Sequence, residues 1–384
     1  MIRYNFPTTI FCADGLMNRL GDVPPIKAGE FPGPALLVTD QGLMNTGIPE
    51  RVAASFKSAG IACEIYSNVR TNPDDAEVDE GVEAYRKAGA RTIIGLGGGS
   101  PVDVAKTIAV RLNHDGPMEK YDDLLGGDSL ITGEIPPIIA IPTTAGTGAE
   151  VSRSSVIHIR SVDRKVVIFT PRMMPAIALL DAELTTGLPA RVTAWTGIDA
   201  LTHLMEAFVA KGDHPMADGI ALEGIAMVFQ ALPRVYKDGN DIEARRAMLI
   251  ASMMGAVAFQ KGLGTAHSMA HPLSSVCGLH HGQANALVLY RVTEYNRAEI
   301  GEERFKKLSF AAAPHKSPSY ETFMSELRQL LTLCDIPDNL SEAGVKKEQV
   351  DELSELAIKD GCHGGNPRTM TLDGFKELFH AHLK

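Results

Sequence analysis

Two short stretches in the second half of the chain pair metal-binding side chains at helical spacing. Asp199 and His203 stand four residues apart in Gly197-Ile198-Asp199-Ala200-Leu201-Thr202-His203, and His267-Ser268-Met269-Ala270-His271 repeats the interval. Residues i and i+4 share a helical face, so a carboxylate and an imidazole placed this way converge on one point. His280-His281-Gly282 follows within one helix-and-loop length. A lone histidine is usually a satisfied core or surface residue, but imidazoles this dense are unfavourable to bury without a common partner. Three imidazoles with one carboxylate suit ferrous iron or zinc. Spacing alone leaves His267 and His271 as equal candidates, because both lie on the same face.

A second chemistry-bearing stretch is Ile93-Ile94-Gly95-Leu96-Gly97-Gly98-Gly99-Ser100-Pro101-Val102-Asp103-Val104-Ala105-Lys106. It reads as strand, glycine turn and helix. Glycines let backbone N–H groups approach an anion closely, and the helix N-terminus adds its positive end. Such a run is also a plain tight turn, so two further features matter. Asp40 ends the apolar run Leu36–Thr39, where a carboxylate either caps a turn or bonds the hydroxyls of an adenosine ribose. The loop Pro142-Thr143-Thr144-Ala145-Gly146-Thr147-Gly148-Ala149-Glu150 follows another apolar run and offers hydroxyls to a polar cofactor. The glycine loop follows a later strand, unlike a standard Rossmann unit, in which it follows the first.

Elements that would position these groups are legible in outline. Ala35–Thr39, Cys63–Tyr66, Thr92–Leu96 and Ile138–Ile141 read as buried strands, with helical periodicity at Pro49–Ala59 and Asp75–Ala88 between them. Their interval of roughly 30 residues is that of βαβ units in a parallel sheet. Ser155–Ile159, Lys165–Phe169 and Ala176–Leu180 follow closely and are expected to be antiparallel or mixed. After Leu184 the texture becomes helix after helix, with Gly187-Leu188-Pro189 placing a proline where a helix starts. The expected organisation is α/β plus all-α: a Rossmann-like dinucleotide-binding domain over residues 1–183, then an all-helical metal-binding domain over 184–384.

Bulk properties exclude other classes. The net charge of −10 comes without a Lys/Arg-rich run, which argues against nucleic-acid or membrane-surface binding. The longest nearly apolar stretch noted, Ala247–Phe259, falls short of the roughly 20 residues a membrane span needs. Cys12, Cys63, Cys277, Cys334 and Cys362 are scattered and never in a CxxC spacing, as expected of reduced thiols. Met1–Gly15 lacks the pattern of a signal peptide. The expectation is a cytoplasmic protein with no membrane or nucleic-acid partner.

Taken together, Gly95–Lys106, Pro142–Glu150, Gly197–His203, Gly262–Pro272, His281-Gly282-Gln283-Ala284-Asn285-Ala286 and Gly364-Gly365-Asn366-Pro367-Arg368 resemble the iron-containing (group III) alcohol dehydrogenases over nearly the whole chain. The resemblance implies metal ligands Asp199, His203, His267 and His281, with Fe2+ bound (Zn2+ as the other candidate) and His271 beside the metal as proton relay. It places Asp40, Asn72, Gly97, Gly98, Gly99, Ser100, Thr143, Thr144, Thr147 and Lys165 around NAD, with Lys165 toward the nicotinamide-side ribose. Phe259 and Cys362 match substrate-pocket positions. Family members carry one more residue between Phe259 and Gly262-Leu263-Gly264, a departure that bears on how Phe259 faces the substrate.

The implied activity is hydride transfer between a small, primary alcohol and NAD, giving the aldehyde. A homodimer or larger homo-oligomer is implied as well. A glycerol dehydrogenase- or dehydroquinate synthase-like zinc enzyme of the same architecture is the nearest competing reading, and it matches Gly262–Pro272 less well. A metal-dependent hydrolase without a dinucleotide would leave Asp40 and Gly97–Ser100 unexplained.

Overall fold

The computed structural model of the chain describes residues 8–383 and divides into two compact units. One is α/β; it runs through Thr144 and resumes at Gly148–Gly187. The other is helical; it begins at Leu188 and also takes in Ala145–Thr147.

In the α/β unit the strands are β1 (Thr9–Cys12), β2 (Ala35–Asp40), β3 (Cys63–Val69), β4 (Thr92–Gly97), β5 (Ile138–Pro142), β6 (Ser154–Ile159), β7 (Arg164–Phe169) and β8 (Ile177–Leu180). Six form one sheet in the order β1-β8-β5-β4-β2-β3, with every neighbouring pair parallel. A parallel sheet is covered on both faces, so its strands are near-continuous apolar runs rather than alternating ones. Every residue of β4 and β5 is buried; each isoleucine or leucine among them contributes about 1.5–3 kcal/mol by leaving water. Helices α1 (Ile48–Ser58), α2 (Asp75–Ala88) and α3 (Gly99–Arg111) make the crossovers. Local signals set their ends: Asp74 accepts from Ala76 N–H at 2.9 Å to cap α2, and Gly89 in the left-handed region closes it.

One strand expectation needs correction, and one strand goes unread in the sequence. β6 and β7 do pair antiparallel, as a separate two-stranded sheet. β8 does not join them. It lies parallel between β1 and β5, because all four of its residues are apolar and buried, and only the covered main sheet hides both strand faces. No apolar run announces β1, whose residues are mostly exposed at the sheet edge.

The strand order also locates the ligand end of this sheet. From β2 the chain moves to β3 on one side, then returns to place β4 on the other side of β2. Such a reversal opens a crevice at the carboxyl ends of the two strands. Asp40 ends β2, and Gly97 ends β4.

The helical unit is built on α4 (Ala190–Val209), α5 (Pro215–Lys237), α6 (Ile242–Ala258), α7 (Thr265–Cys277) and α8 (His281–Tyr295). Pro189 is the N-cap of α4 rather than a first-turn residue. Ile198, Leu201, Leu204, Ile225, Leu232, Met248, Leu273 and Val288 interlock as its core. By length and composition α5 is long and apolar enough to cross a membrane, which the Ala247–Phe259 reading overlooks. Its Ala221, Ile225, Val228 and Leu232 are nonetheless fully buried within this core.

Candidate active site

On α4, Asp199, His203 and Glu206 occupy positions i, i+4 and i+7, one face that turns into the helical core. Helix α7 contributes His267 and α8 contributes its first residue, His281. One ligand-type atom each from Asp199, His203 and His267 lies within 4.8 Å of the other two, and all three residues are buried. His281 Nε2 is 3.5 Å from Asp199 Oδ1, and 31% of its side chain stays accessible, so the cluster is open on that side. The His267 ring lies 4.5 Å from that of His203 and 5.5 Å from that of His281.

Close approach of α8 to α4 depends on Gly282. A Cβ there would lie 2.5 Å from the Trp195 carbonyl oxygen, a backbone atom of α4 that cannot swing aside. The glycine beside His281 is therefore what lets that imidazole reach Asp199.

Electrostatically the cluster is prepared for a cation. Desolvation pushes His203 down to about 4 and lowers His281 well below its ordinary value, which leaves imidazole lone pairs in place near neutrality. Burial works against the Asp199 charge, but the three imidazoles and the Asn285 amide outweigh it and hold the carboxyl below its usual range. Asn285, one turn beyond His281, donates from Nδ2 to Asp199 Oδ1 at 2.7 Å. That nitrogen also stands 3.3 Å from His267 Nε2 and 3.2 Å from His281 Nε2, while its Oδ1 is buried without a partner. A buried carboxylate and converging imidazoles, with His203 Nδ1 buried and without a hydrogen-bond partner, are the donor set of a divalent iron or zinc site. The residues fit the metal.

Glu206 supports this set. Its Oε2 lies 2.7 Å from His267 Nδ1 and accepts from Gly264 N–H at 2.8 Å; Oε1 accepts from Ala266 N–H at 2.6 Å. One carboxylate thus holds two N–H groups at the start of α7 and turns the His267 ring so that Nε2 faces the cluster. Burial alone would lower the His267 pKa, but the hydrogen bond and charge of Glu206 raise it.

His271 stands apart from the ligand group. Its ring stacks on that of His281 at 5.3 Å, and its Nδ1 pairs with Asp360 Oδ2 at 2.7 Å. Phe259 packs its ring 5.4 Å from His203. Cys362 lies with His271 and Asp360, and burial raises its thiol far above the usual range, which makes it a neutral wall rather than a nucleophile.

In the α/β unit most of the proposed cofactor residues gather at the switch point. Gly97 adopts φ of 144°, a conformation that L side chains rarely take, and a Cβ on it would strike Pro101 at 2.7 Å. Thr143 N–H donates to Gly97 O at 2.9 Å, and the Thr144 side chain flanks Gly98. Gly98 caps α3, which starts at Gly99. Ser100 Oγ donates to Thr71 O at 2.7 Å, and next along the chain Asn72 Oδ1 accepts from Lys165 Nζ at 2.9 Å. Asp40 Oδ1 caps the turn at Leu43 N–H, 2.9 Å away, while its Oδ2 faces Gly97. Asp40 is therefore a capping residue whose second oxygen is directed at the glycine loop. Thr147 falls in the segment Ala145–Thr147 that clusters with the helical unit, unlike the other nine.

Three supporting residues escape the sequence reading. Glu206 and Asn285 carry a local signal, as one lies three residues beyond His203 and the other four beyond His281. Asp360 has none, because 89 residues separate it from His271.

Comparison with known proteins identifies relatives over nearly the whole chain. Residues 7–182 match the iron-containing alcohol dehydrogenase model, and residues 193–383 match the C-terminal model of the Fe-containing alcohol dehydrogenase family. The chain is 36% identical to a 4-hydroxybutyrate dehydrogenase of Cupriavidus necator, covering 89% of this chain and 90% of that one. It is 34% identical to an NAD-dependent methanol dehydrogenase of Bacillus methanolicus, covering 90% and 91% respectively. A solved 1,3-propanediol oxidoreductase superposes with a TM-score of 0.93 at 32% identity, covering both chains completely. Matches spanning both units, over nearly all of the sequence, leave one assignment: this chain belongs to the iron-containing alcohol dehydrogenase family and is an alcohol oxidoreductase.

Proposed function

We propose that the protein interconverts a small primary alcohol and its aldehyde, with NAD as the hydride carrier and ferrous iron at Asp199, His203, His267 and His281. The convergence of those four side chains, supported by Glu206 and Asn285, carries the reading. Zinc suits the same donor set. Residues 1–183 would bind the dinucleotide, and residues 184–384 the metal and the alcohol.

When bound, the metal supplies Lewis acidity toward the alcohol oxygen and the dinucleotide accepts the hydride. The chain's own residues do the rest. Asp40 Oδ2 accepts from the adenosine ribose, Gly97, Gly98, Gly99 and Ser100 cradle the pyrophosphate at the start of α3, and Thr143, Thr144 and Thr147 add hydroxyl contacts. Asn72 and Lys165, already paired, serve the nicotinamide-side ribose. Phe259 and Cys362 wall the substrate pocket and exclude water. His271, with Nδ1 occupied by Asp360, receives the alcohol proton at Nε2.

Primary alcohols are favoured because 4-hydroxybutyrate, methanol and 1,3-propanediol, named for the similar proteins, all carry a primary hydroxyl. Among the described residues none of the five cysteines is in a disulfide, which fits a reducing compartment such as the cytoplasm. The test is a panel of those three alcohols and 2-propanol, with iron-loaded and zinc-loaded enzyme, followed by NADH absorbance. Turnover of primary alcohols with NAD is expected. Activity confined to 2-propanol, or no reduction of NAD, would overturn the reading.

A further inference from the structure

His271, Asp360 and Cys362 place a nitrogen, a carboxylate oxygen and a sulfur within 4.8 Å of one another, an arrangement that resembles a second cation site. The hydrogen bonds point to another role, because the Asp360 carboxylate is already engaged by the Cys362 N–H, the Ser268 hydroxyl and the His271 imidazole, with the Cys362 thiol beside it. Oδ1 accepts from Cys362 N–H at 2.9 Å and from Ser268 Oγ at 2.7 Å, and Oδ2 faces His271 Nδ1 at 2.7 Å.

The direction of every bond in this network is fixed from its ends. His363 N–H donates to Ser268 Oγ at 2.9 Å, so the serine proton goes onward to Asp360 Oδ1. Cys362 N–H, a backbone group, can only donate. Two donors, Cys362 N–H in the Cys362–Gly365 turn and Ser268 Oγ on α7 oriented by His363 N–H, therefore hold Oδ1, and Oδ2 is left to accept from the imidazole. From this geometry we infer that Asp360 is a positioning residue that holds His271 as the Nδ1–H tautomer, with its Nε2 lone pair turned free for the proton of the substrate. The inference rests on the reading of His271 as proton acceptor.

A substitution separates this from a packing role. In Asp360→Asn the two anchored donors demand the amide oxygen at the Oδ1 position. The amide nitrogen is thereby forced against His271 Nδ1 and donates to it, which drives the imidazole proton to Nε2. Shape is conserved and polarity is reversed.

The experiment uses zinc-loaded protein labelled with 15N-histidine, the His271 signals being assigned by their absence in His271→Ala. Wild type should show a protonated Nδ1 and an unprotonated Nε2; Asp360→Asn should show the reverse. Metal content by elemental analysis should stay near one per chain. In parallel, kcat should fall about 10²-fold in Asp360→Asn with KM changed less than about threefold, a size typical of lost proton transfer. In a His271→Ala background the same substitution should alter kcat by less than about threefold. An unchanged tautomer in Asp360→Asn overturns the inference, as does a full kcat loss that persists without His271. If Asp360→Asn does not fold, Asp360→Ala serves instead, and two tautomers in comparable amounts are then expected; a pure Nδ1–H form would overturn the inference. Wild-type kcat in His271→Ala would sink the reading of His271 alone, because the tautomer result does not depend on turnover.

Discussion

Glu206 Oε2 and His267 Nδ1 lie 2.7 Å apart, and the same carboxylate closes the backbone at Gly264 and Ala266. This one side chain couples the orientation of an imidazole to the start of the helix that carries it. Glu206→Gln should weaken metal binding by about 10- to 100-fold, the usual scale for losing a partner behind a ligating histidine. Glu206→Ala should also destabilise the fold, since each orphaned buried N–H costs about 1–3 kcal/mol. Metal titration and thermal unfolding read the two effects; an unchanged metal affinity in Glu206→Gln would count against the arrangement.

Metal removal should lower the melting temperature of the wild-type protein, because binding to the folded state stabilises it by about 3–4 kcal/mol at 100 to 1,000 times Kd. His281→Ala should hold little metal by elemental analysis, lose nearly all turnover and show almost no response to a chelator. Full metal content in that variant would remove His281 from the ligand set.

Gly282→Ala places a methyl 2.5 Å from the Trp195 carbonyl oxygen and 2.8 Å from its carbon, so α8 must back away from α4. The expected result is a loss of about 1–3 kcal/mol from overpacking together with weakened metal binding. A variant destabilised by that amount but with wild-type metal affinity would show that α8 yields without carrying His281 along.

Cofactor choice is expected to rest on Asp40. Its Oδ2 faces Gly97, where an adenosine ribose would sit, and a 2′-phosphate there would meet a like charge. NAD should be preferred over NADP by about 2 kcal/mol or more. Asp40→Gly should relax the ratio mainly by improving NADP, and the fold should tolerate it, because replacing an N-cap aspartate with glycine costs only a few tenths of a kcal/mol. The measurement is kcat/KM for both cofactors in both proteins. A wild-type preference for NADP would defeat the assignment.

What the sequence by itself determined is what short-range geometry encodes. Helical spacing puts Asp199 and His203 on one face, a run of glycines makes the turn after Thr92–Gly97, and apolar runs mark the buried strands. The family resemblance chose His267 over His271 and added His281, whose tie to Asp199 crosses between helices and has no local period. Tertiary structure decided the rest. His267 and His271 are equivalent by spacing; packing of α7 and the Glu206 hydrogen bond turn only the first toward Asp199 and His203. Ile177–Leu180 looks like a partner for the preceding hairpin, yet burial of both its faces is available only inside the parallel sheet. Asp360 meets His271 across 89 residues of chain, a contact created by burial and hydrogen-bond satisfaction and invisible to any local pattern.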